Sequence, residues 1–100
     1  MRRLSEIFFA LANPTRLRLL LALRPGQHDQ APELCVCELA DLAEASQSMV
    51  SHQLRLLRSA GLVTFRRDGK LALYRLADAA LTRLLLTATD EWDHTASSRL

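Results

Sequence analysis

Residues 46–76, SQSMVSHQLRLLRSAGLVTFRRDGKLALYRL, determine the fold class of this 100-residue chain. Ser46 can cap a helix, because its hydroxyl accepts a hydrogen bond from an early backbone amide. Gly61 marks the end of that helix. The apolar positions between these two residues recur at helical spacing: Val50, Leu54 and Leu57. These signals predict one amphipathic helix whose first turns are polar.

The hydrophobic period changes directly after Gly61. Residues 62–65 and 71–76 have the composition and spacing of strands. Residues 66–70 lie between them and contain Asp68-Gly69, which is a strong hairpin signal. The stretch therefore predicts a helix followed by a two-stranded wing.

The segments before Ser46 predict three further helices. The first has one apolar stripe at helical spacing: Leu4, Ile7, Phe8 and Leu11. The second begins with Asn13 as N-cap and Pro14 in the first turn, and it closes at residues 24–26. After a polar loop at residues 27–32, residues 36–43 predict a third helix of about two turns. The third and fourth helices have the outline of a helix-turn-helix.

Downstream of the hairpin, Asp78 can cap a last helix. The apolar residues of this helix share one face: Leu81, Leu84, Leu85, Ala88 and Trp92. Since nothing else in the chain is left to cover that face, we expect it to form a dimer interface together with the first helix. The predicted fold is mainly α with a small β-hairpin. It is a single homodimeric winged helix-turn-helix domain over residues 1–100, in the order α-α-α-α-β-β-α.

The composition agrees with a helical domain and identifies a basic region. Apolar residues make up 49% of the chain and aromatic residues 5%, so the core must consist mainly of Leu and Ala. Residues 46–75 contain six basic side chains and the single acid Asp68, a local charge of +5, whereas the rest of the chain carries −3. This asymmetry is typical of nucleic-acid binding, and a solvated basic face is the alternative. The absence of a signal peptide or spanning segment predicts a cytoplasmic protein.

Cys35 and Cys37, at the start of the third helix, are candidate ligands for a soft ion. Thiolates favour As(III), Sb(III), Cd(II), Pb(II), Zn(II) or Cu(I), and two thiolates this close can bind one ion if the backbone between them is distorted. That distortion would strain the first turn and displace the fourth helix. Cysteines packed in the core are the alternative. A third ligand is not identified; the candidates are solvent, a small thiol molecule or His28.

The serines beside His52 do not make a catalytic site. Ser48 and Ser51 have no third orienting group and no oxyanion-hole motif in the sequence. We therefore predict that the chain is not an enzyme and has no small-molecule substrate.

Three motifs follow one another along the chain: LANPTRL at residues 11–17, ELCVCELA at residues 33–40 and QSMVSHQL at residues 47–54. Together they resemble the ArsR/SmtB family of metal-sensing transcriptional repressors. The resemblance implies a cytoplasmic homodimer that represses a metal-resistance or efflux operon by binding an imperfectly palindromic operator in double-stranded DNA. It also implies that ion binding releases the DNA.

The resemblance places the DNA-reading residues on the first turns of the fourth helix: Gln47, Ser48, Ser51 and His52. Gln53 belongs to the same polar run, and small hydrogen-bonding side chains there can reach base edges in the major groove. On the same helix, Arg55 and Arg58 are candidates for phosphate contacts. In the wing, Arg66, Arg67 and Lys70 are candidates for phosphate or minor-groove contacts.

The family pattern is incomplete at both of its ion sites. Ala40 stands where some arsenic sensors of the family have a third cysteine. Zinc sensors of the family use the last helix, where Asp78, Glu91 and His94 match ligand positions and Ala80 does not. Zinc needs four good ligands and As(III) only three, which favours arsenite or antimonite, or Cd(II) or Pb(II), at the cysteines. A zinc-responsive repressor, a thiol redox sensor of the same fold, and a metal-storage protein without DNA function remain the alternatives.

Overall fold

The computed structural model describes residues 2–26 and 30–98, and from residue 91 on only the backbone. Its elements are α1 (Arg2–Leu11), α2 (Pro14–Leu23), α3 (Val36–Ala43), α4 (Gln47–Ser59), β1 (Val63–Asp68), β2 (Leu71–Leu76) and α5 (Ala79–Ser98). This order confirms the predicted winged helix. No helix within the described ranges is long and apolar enough to cross a membrane.

Polar side chains fix the starts of three helices, as the sequence predicted. In each case a side-chain oxygen accepts a hydrogen bond from the backbone N–H three residues later. The distance is 3.0 Å for Asn13, 3.1 Å for Ser46 and 2.8 Å for Asp78. Such a cap satisfies an amide that has no partner within the helix and contributes about 0.5–2 kcal/mol.

Aliphatic side chains from all five helices and from the start of the wing form one buried cluster. The fully buried members are Leu19, Leu20, Leu23, Leu39, Leu54, Leu57, Leu62, Leu81, Val50 and Val63. Leucine dominates this core, as the composition predicted. Each buried leucine contributes about 1.5–3 kcal/mol relative to an exposed one, so α3 and α4 are held firmly at the centre of the domain.

Two leucines of α5 correct the predicted dimer face. Leu81 is fully buried and Leu85 is 3% exposed, and both belong to the core cluster of the chain itself. The expectation that nothing covers them is therefore wrong, because α5 turns one stripe of its apolar residues toward its own domain. Leu84 is half-buried and Ala88 is exposed, while the side chain of Trp92 lies outside those described.

Helix α1 leaves large apolar side chains at the surface. Leu4 is 49% exposed and Phe8 is 55% exposed, whereas Ile7 on the same helix is buried. Phe9 is exposed as well, with the guanidinium of Arg16 4.8 Å from its ring centroid. The helix therefore contributes to the core with one side and presents an apolar surface on the other.

The wing consists of β1, β2 and the loop between them. The strands are antiparallel and pair from Val63 with Leu76 to Asp68 with Leu71, so the loop is only Gly69-Lys70. The predicted turn over residues 66–70 is too long, because the strand ladder continues to Asp68. Gly69 has a φ of +63°, which allows a two-residue loop that matches the twist of the strands.

Leu34, just before the cysteines, forms a bridge to β2 that the sequence analysis did not predict. Its N–H donates to the carbonyl of Tyr74 at 3.0 Å, and its carbonyl accepts from the N–H of Tyr74 at 2.8 Å. The segment that leads into α3 is therefore bonded to the wing as well as to the helices.

Candidate nucleic-acid interface and ion site

Helix α4 presents its polar first turns away from the core. Gln47, Ser48 and His52 are exposed and Ser51 is half-buried, whereas the apolar residues on the opposite side are buried. The structure thus brings together on one accessible face the four residues that the family resemblance assigns to DNA reading.

Gln53 differs from these four residues because it has a partner inside the protein. Its side-chain carbonyl accepts a hydrogen bond from Nη1 of Arg16 at 3.2 Å. The same guanidinium donates to the backbone carbonyls of Phe9 at 3.1 Å and Ala10 at 3.2 Å, at the end of α1. Gln53 therefore joins α4 to α1 and α2, a role that sequence reasoning missed.

Basic side chains surround the wing and the end of α4. The guanidiniums of Arg58 and Arg67 lie 4.9 Å and 5.7 Å from the ring centroid of Phe65. Arg55 and Lys70 are exposed. One cation from the helix and one from the wing thus contact the same aromatic ring, an arrangement suited to a polyanion.

Arg66 points its guanidinium at a carboxylate of the same chain. Its Nε and Nη2 donate to the two oxygens of Glu33 at 2.8 Å and 3.0 Å. The hydrogen bonds from Arg66 hold the pKa of Glu33 below its usual range, and the charge of Arg75 contributes in the same direction. The structure gives Arg66 an intramolecular partner where the sequence predicted a phosphate or minor-groove contact.

The two cysteines occupy different environments at the start of α3. Cys35 is the N-cap residue and is buried, whereas Cys37 lies in the first turn and is exposed. The backbone N–H of Cys35 donates to the carboxylate of Glu38 at 3.1 Å. Hydrogen bonds from the backbone and the thiol of Cys35 hold the pKa of Glu38 low. The first turn of α3 is thus closed by a capping interaction that includes the first cysteine.

Cys37 contacts the first residue of α4. Nε2 of Gln47 donates to Sγ of Cys37 at 3.6 Å. The sequence predicted that the cysteines lie on the helix that supports α4, but not that the sulfur of Cys37 contacts Gln47, which the family resemblance assigns to DNA reading. A change in the position of this sulfur would therefore alter a contact with the first residue of α4.

The donor chemistry at α3 fits a soft ion with two thiol ligands. Within residues 2–26 and 30–90, no three side chains of His, Cys, Asp or Glu converge to hold a metal. His28, the candidate third ligand, lies outside the described residues.

The alternative site on α5 is already engaged in other contacts. One oxygen of Asp78 caps α5, and the other is bonded to the guanidinium of Arg3. Arg3 also donates to the carbonyls of Ala60 and Gly61 at the end of α4. The backbone N–H of Leu81 is the largest cause of the lowered pKa of Asp78. The side chains of Glu91 and His94 lie outside those described.

The accessible polar face of α4, the basic wing beside it and the helix order together define a winged helix-turn-helix protein of the DNA-binding class. Residues 13–64 match the model of the bacterial regulatory protein arsR family. The chain belongs to this family, whose members are regulators rather than enzymes, in agreement with the sequence prediction.

Similar proteins extend this assignment to most of the chain. A transcriptional repressor SmtB homolog from Synechocystis is 46% identical over 89% of this chain and 63% of its own length. The chain thus spans about three fifths of that relative.

Two solved structures share the fold. The AntR antimony-specific transcriptional repressor is 31% identical with a TM-score of 0.77, over 94% of this chain and 80% of that one. The homodimeric DNA-binding domain of a possible ArsR-family regulator from Mycobacterium bovis is 29% identical with a TM-score of 0.76, over 97% and 84%.

Proposed function

We propose that this chain is a transcriptional repressor whose dimer binds operator DNA and releases it when a thiophilic ion binds Cys35 and Cys37. The observation that carries the proposal is the contact between Cys37 and Gln47, which joins the candidate ion site to the DNA-reading helix. Membership of the arsR family of regulatory proteins supports the same function.

The apo dimer presents two copies of α4 to successive major grooves, about 34 Å apart on an imperfect palindrome. Exposed Leu4 and Phe8 on α1 supply apolar surface for the contact between subunits, and α5 completes it. The homodimeric M. bovis domain has the same fold. Arg55, Arg58, Arg67 and Lys70 then contact phosphates, which makes operator binding dependent on salt.

Release follows from the different placement of the two sulfurs. Residues two positions apart on a helix do not face each other, and here Cys35 is buried while Cys37 is exposed. Both sulfurs can approach one ion only if the first turn of α3 is distorted. Cys35 then loses the capping interaction with Glu38, and Gln47 loses its contact with Cys37. The start of α4 shifts, and its polar side chains no longer match the groove.

Two thiols favour arsenite or antimonite as inducer, because As(III) and Sb(III) need only three ligands. The similarity to AntR, which is named as antimony-specific, supports this choice. Solvent, a small thiol or His28 supplies the third ligand. Cd(II) and Pb(II) are the next candidates. Zn(II) at α5 is disfavoured because Asp78 would have to give up its bond to Arg3 and its capping role.

The test measures operator affinity by fluorescence anisotropy with reduced dimer, on a fragment selected from random DNA by the apo protein. Arsenite, antimonite, Cd(II) and Zn(II) are titrated separately against the wild type and Cys35→Ser/Cys37→Ser. We expect a thiophilic ion to weaken wild-type binding by one to two decades, for a coupling of about 1–3 kcal/mol, and to leave the double variant bound. Release of both proteins by Zn(II) would move the sensor to α5. Release by oxidation alone, reversed by a thiol reductant, would identify a redox sensor.

A further inference from the structure

The segment that carries the cysteines is bonded to both strands of the wing. We propose that the Glu33–Arg66 ion pair and the Leu34–Tyr74 bridge couple the ion site to the wing, so that ion binding displaces the wing from DNA as well as α4. This inference rests on the proposed function and concerns how the same site is regulated.

The two connections lie directly before the ion site. Glu33 holds Arg66 of β1 through two hydrogen bonds, at 2.8 Å and 3.0 Å. Leu34 holds Tyr74 of β2 through two more, at 3.0 Å and 2.8 Å. Leu34 is adjacent to Cys35, and one residue of extended chain spans at most about 3.6 Å, so little slack separates them. A displacement of Cys35 that distorts the first turn of α3 must therefore move Leu34 or break its bonds to the wing.

Two aromatic rings connect the Leu34–Tyr74 bridge to basic side chains at the surface. Tyr74 pairs with Phe65 across the hairpin, and their ring centroids are 5.3 Å apart. Phe65 in turn holds the guanidiniums of Arg58 and Arg67. A shift of Tyr74 thus changes the support of two cations that face the DNA backbone in the proposed complex.

Arg66 has a different role from the other wing cations. Among the described residues of the wing, Arg66 is the basic side chain that forms a salt bridge with a carboxylate, whereas Arg67 stacks on an aromatic ring. We therefore assign Arg66 to positioning the wing and Arg67 to contact with phosphate. This difference supplies a matched pair of variants.

The experiment compares operator affinity with and without antimonite for the wild-type dimer, Glu33→Gln, Arg66→Gln and the control Arg67→Gln. Glu33→Gln and Arg66→Gln should reduce the ratio of the two dissociation constants by at least about twofold, because they uncouple the wing from the ion site. Arg67→Gln should instead raise the dissociation constant without antimonite and leave the constant with antimonite near its wild-type value, because the displaced wing no longer contacts DNA, whereas Glu33→Gln and Arg66→Gln should lower the constant with antimonite. Thermal unfolding confirms that each variant is folded. The charge exchange Glu33→Arg/Arg66→Glu should restore the ratio.

A second measurement needs no DNA. Hydrogen exchange of the Tyr74 amide, which donates to Leu34, should accelerate in the wild type when antimonite binds. Antimonite could release the wild type from DNA while the exchange rate of the Tyr74 amide stays unchanged and the ratio of dissociation constants in Glu33→Gln stays at the wild-type value. That result would overturn the coupling and leave the proposed function standing. If antimonite, arsenite and Cd(II) all fail to release the wild type, the proposed function fails and the coupling fails with it.

Discussion

Replacement of Asp78 tests whether this residue is a helix cap or an ion ligand. In the structure one of its oxygens caps α5 and the other is bonded to Arg3. Loss of an N-cap side chain costs about 0.5–2 kcal/mol. The ion pair with Arg3, whose side chain is 45% exposed, is screened by solvent and adds little to this cost. We expect Asp78→Ala to lower the free energy of unfolding by about 1–2 kcal/mol.

The assay is thermal unfolding at fixed protomer concentration, since dimerisation makes Tm depend on concentration. For a domain of this size, 1 kcal/mol corresponds to a change in Tm of about 4–8 °C. Asp78→Asn is the matched control, because asparagine also caps helices but cannot form the ion pair. The free energy of unfolding should fall less in Asp78→Asn than in Asp78→Ala.

The contribution of Asp78 to the free energy of unfolding depends on pH, and the sign of this dependence follows from its pKa. Because the folded-state pKa of Asp78 is below its ordinary value of 3.8, the charged side chain stabilises the folded state above that pH. The stabilisation is lost as the pH falls through the lower folded-state pKa. The wild type and Asp78→Asn should therefore converge in stability in strong acid.

Two results would refute this reasoning. An unchanged Tm in Asp78→Ala would show that the cap and the ion pair contribute nothing. Loss of the response to ions in a folded Asp78→Asn variant would make Asp78 a ligand.

Three further perturbations follow from the structure. Lys70→Gln at the tip of the wing should weaken operator binding and lower the slope of log K against log salt by about one, measured by anisotropy; an unchanged slope would exclude a phosphate contact. Leu54→Ala, at a fully buried position of α4, should cost about 2–5 kcal/mol in urea unfolding, and a loss below 1 kcal/mol would contradict the described core. Phe8→Ser should raise the dimer dissociation constant in sedimentation experiments, whereas a dimer of wild-type affinity would place the interface elsewhere.

Features with a local cause could be predicted from the sequence. Asn13, Ser46 and Asp78 cap helices because each side chain needs only the amide three residues later. The Asp68-Gly69 signal located the hairpin but not the lengths of its strands, since pairing at Arg66 depends on the opposite strand. Local chemistry therefore predicted the element order better than the element bounds.

Contacts between distant residues could not be predicted in this way. Arg3 and Asp78 are 75 positions apart, and Glu33 and Arg66 are 33 apart. Periodicity shows that a helix has an apolar face, but it does not show what covers that face. For this reason the burial of Leu81 within its own chain was missed. At the candidate site the sequence predicted the two cysteines as ligands, and the fold supplied the contact of Cys37 with Gln47.

The guanidinium of Arg16 has a consequence for the shape of the operator. It binds the last carbonyls of α1 and the side chain of Gln53 on α4, so these two helices keep a fixed relative orientation. In a dimer joined through α1, the distance between the two copies of α4 then follows from how the two α1 helices cross. The number of base pairs between half-sites is thus a property of the subunit contact. A variant at Arg16 should change the preferred half-site spacing while the bases read within each half-site stay the same.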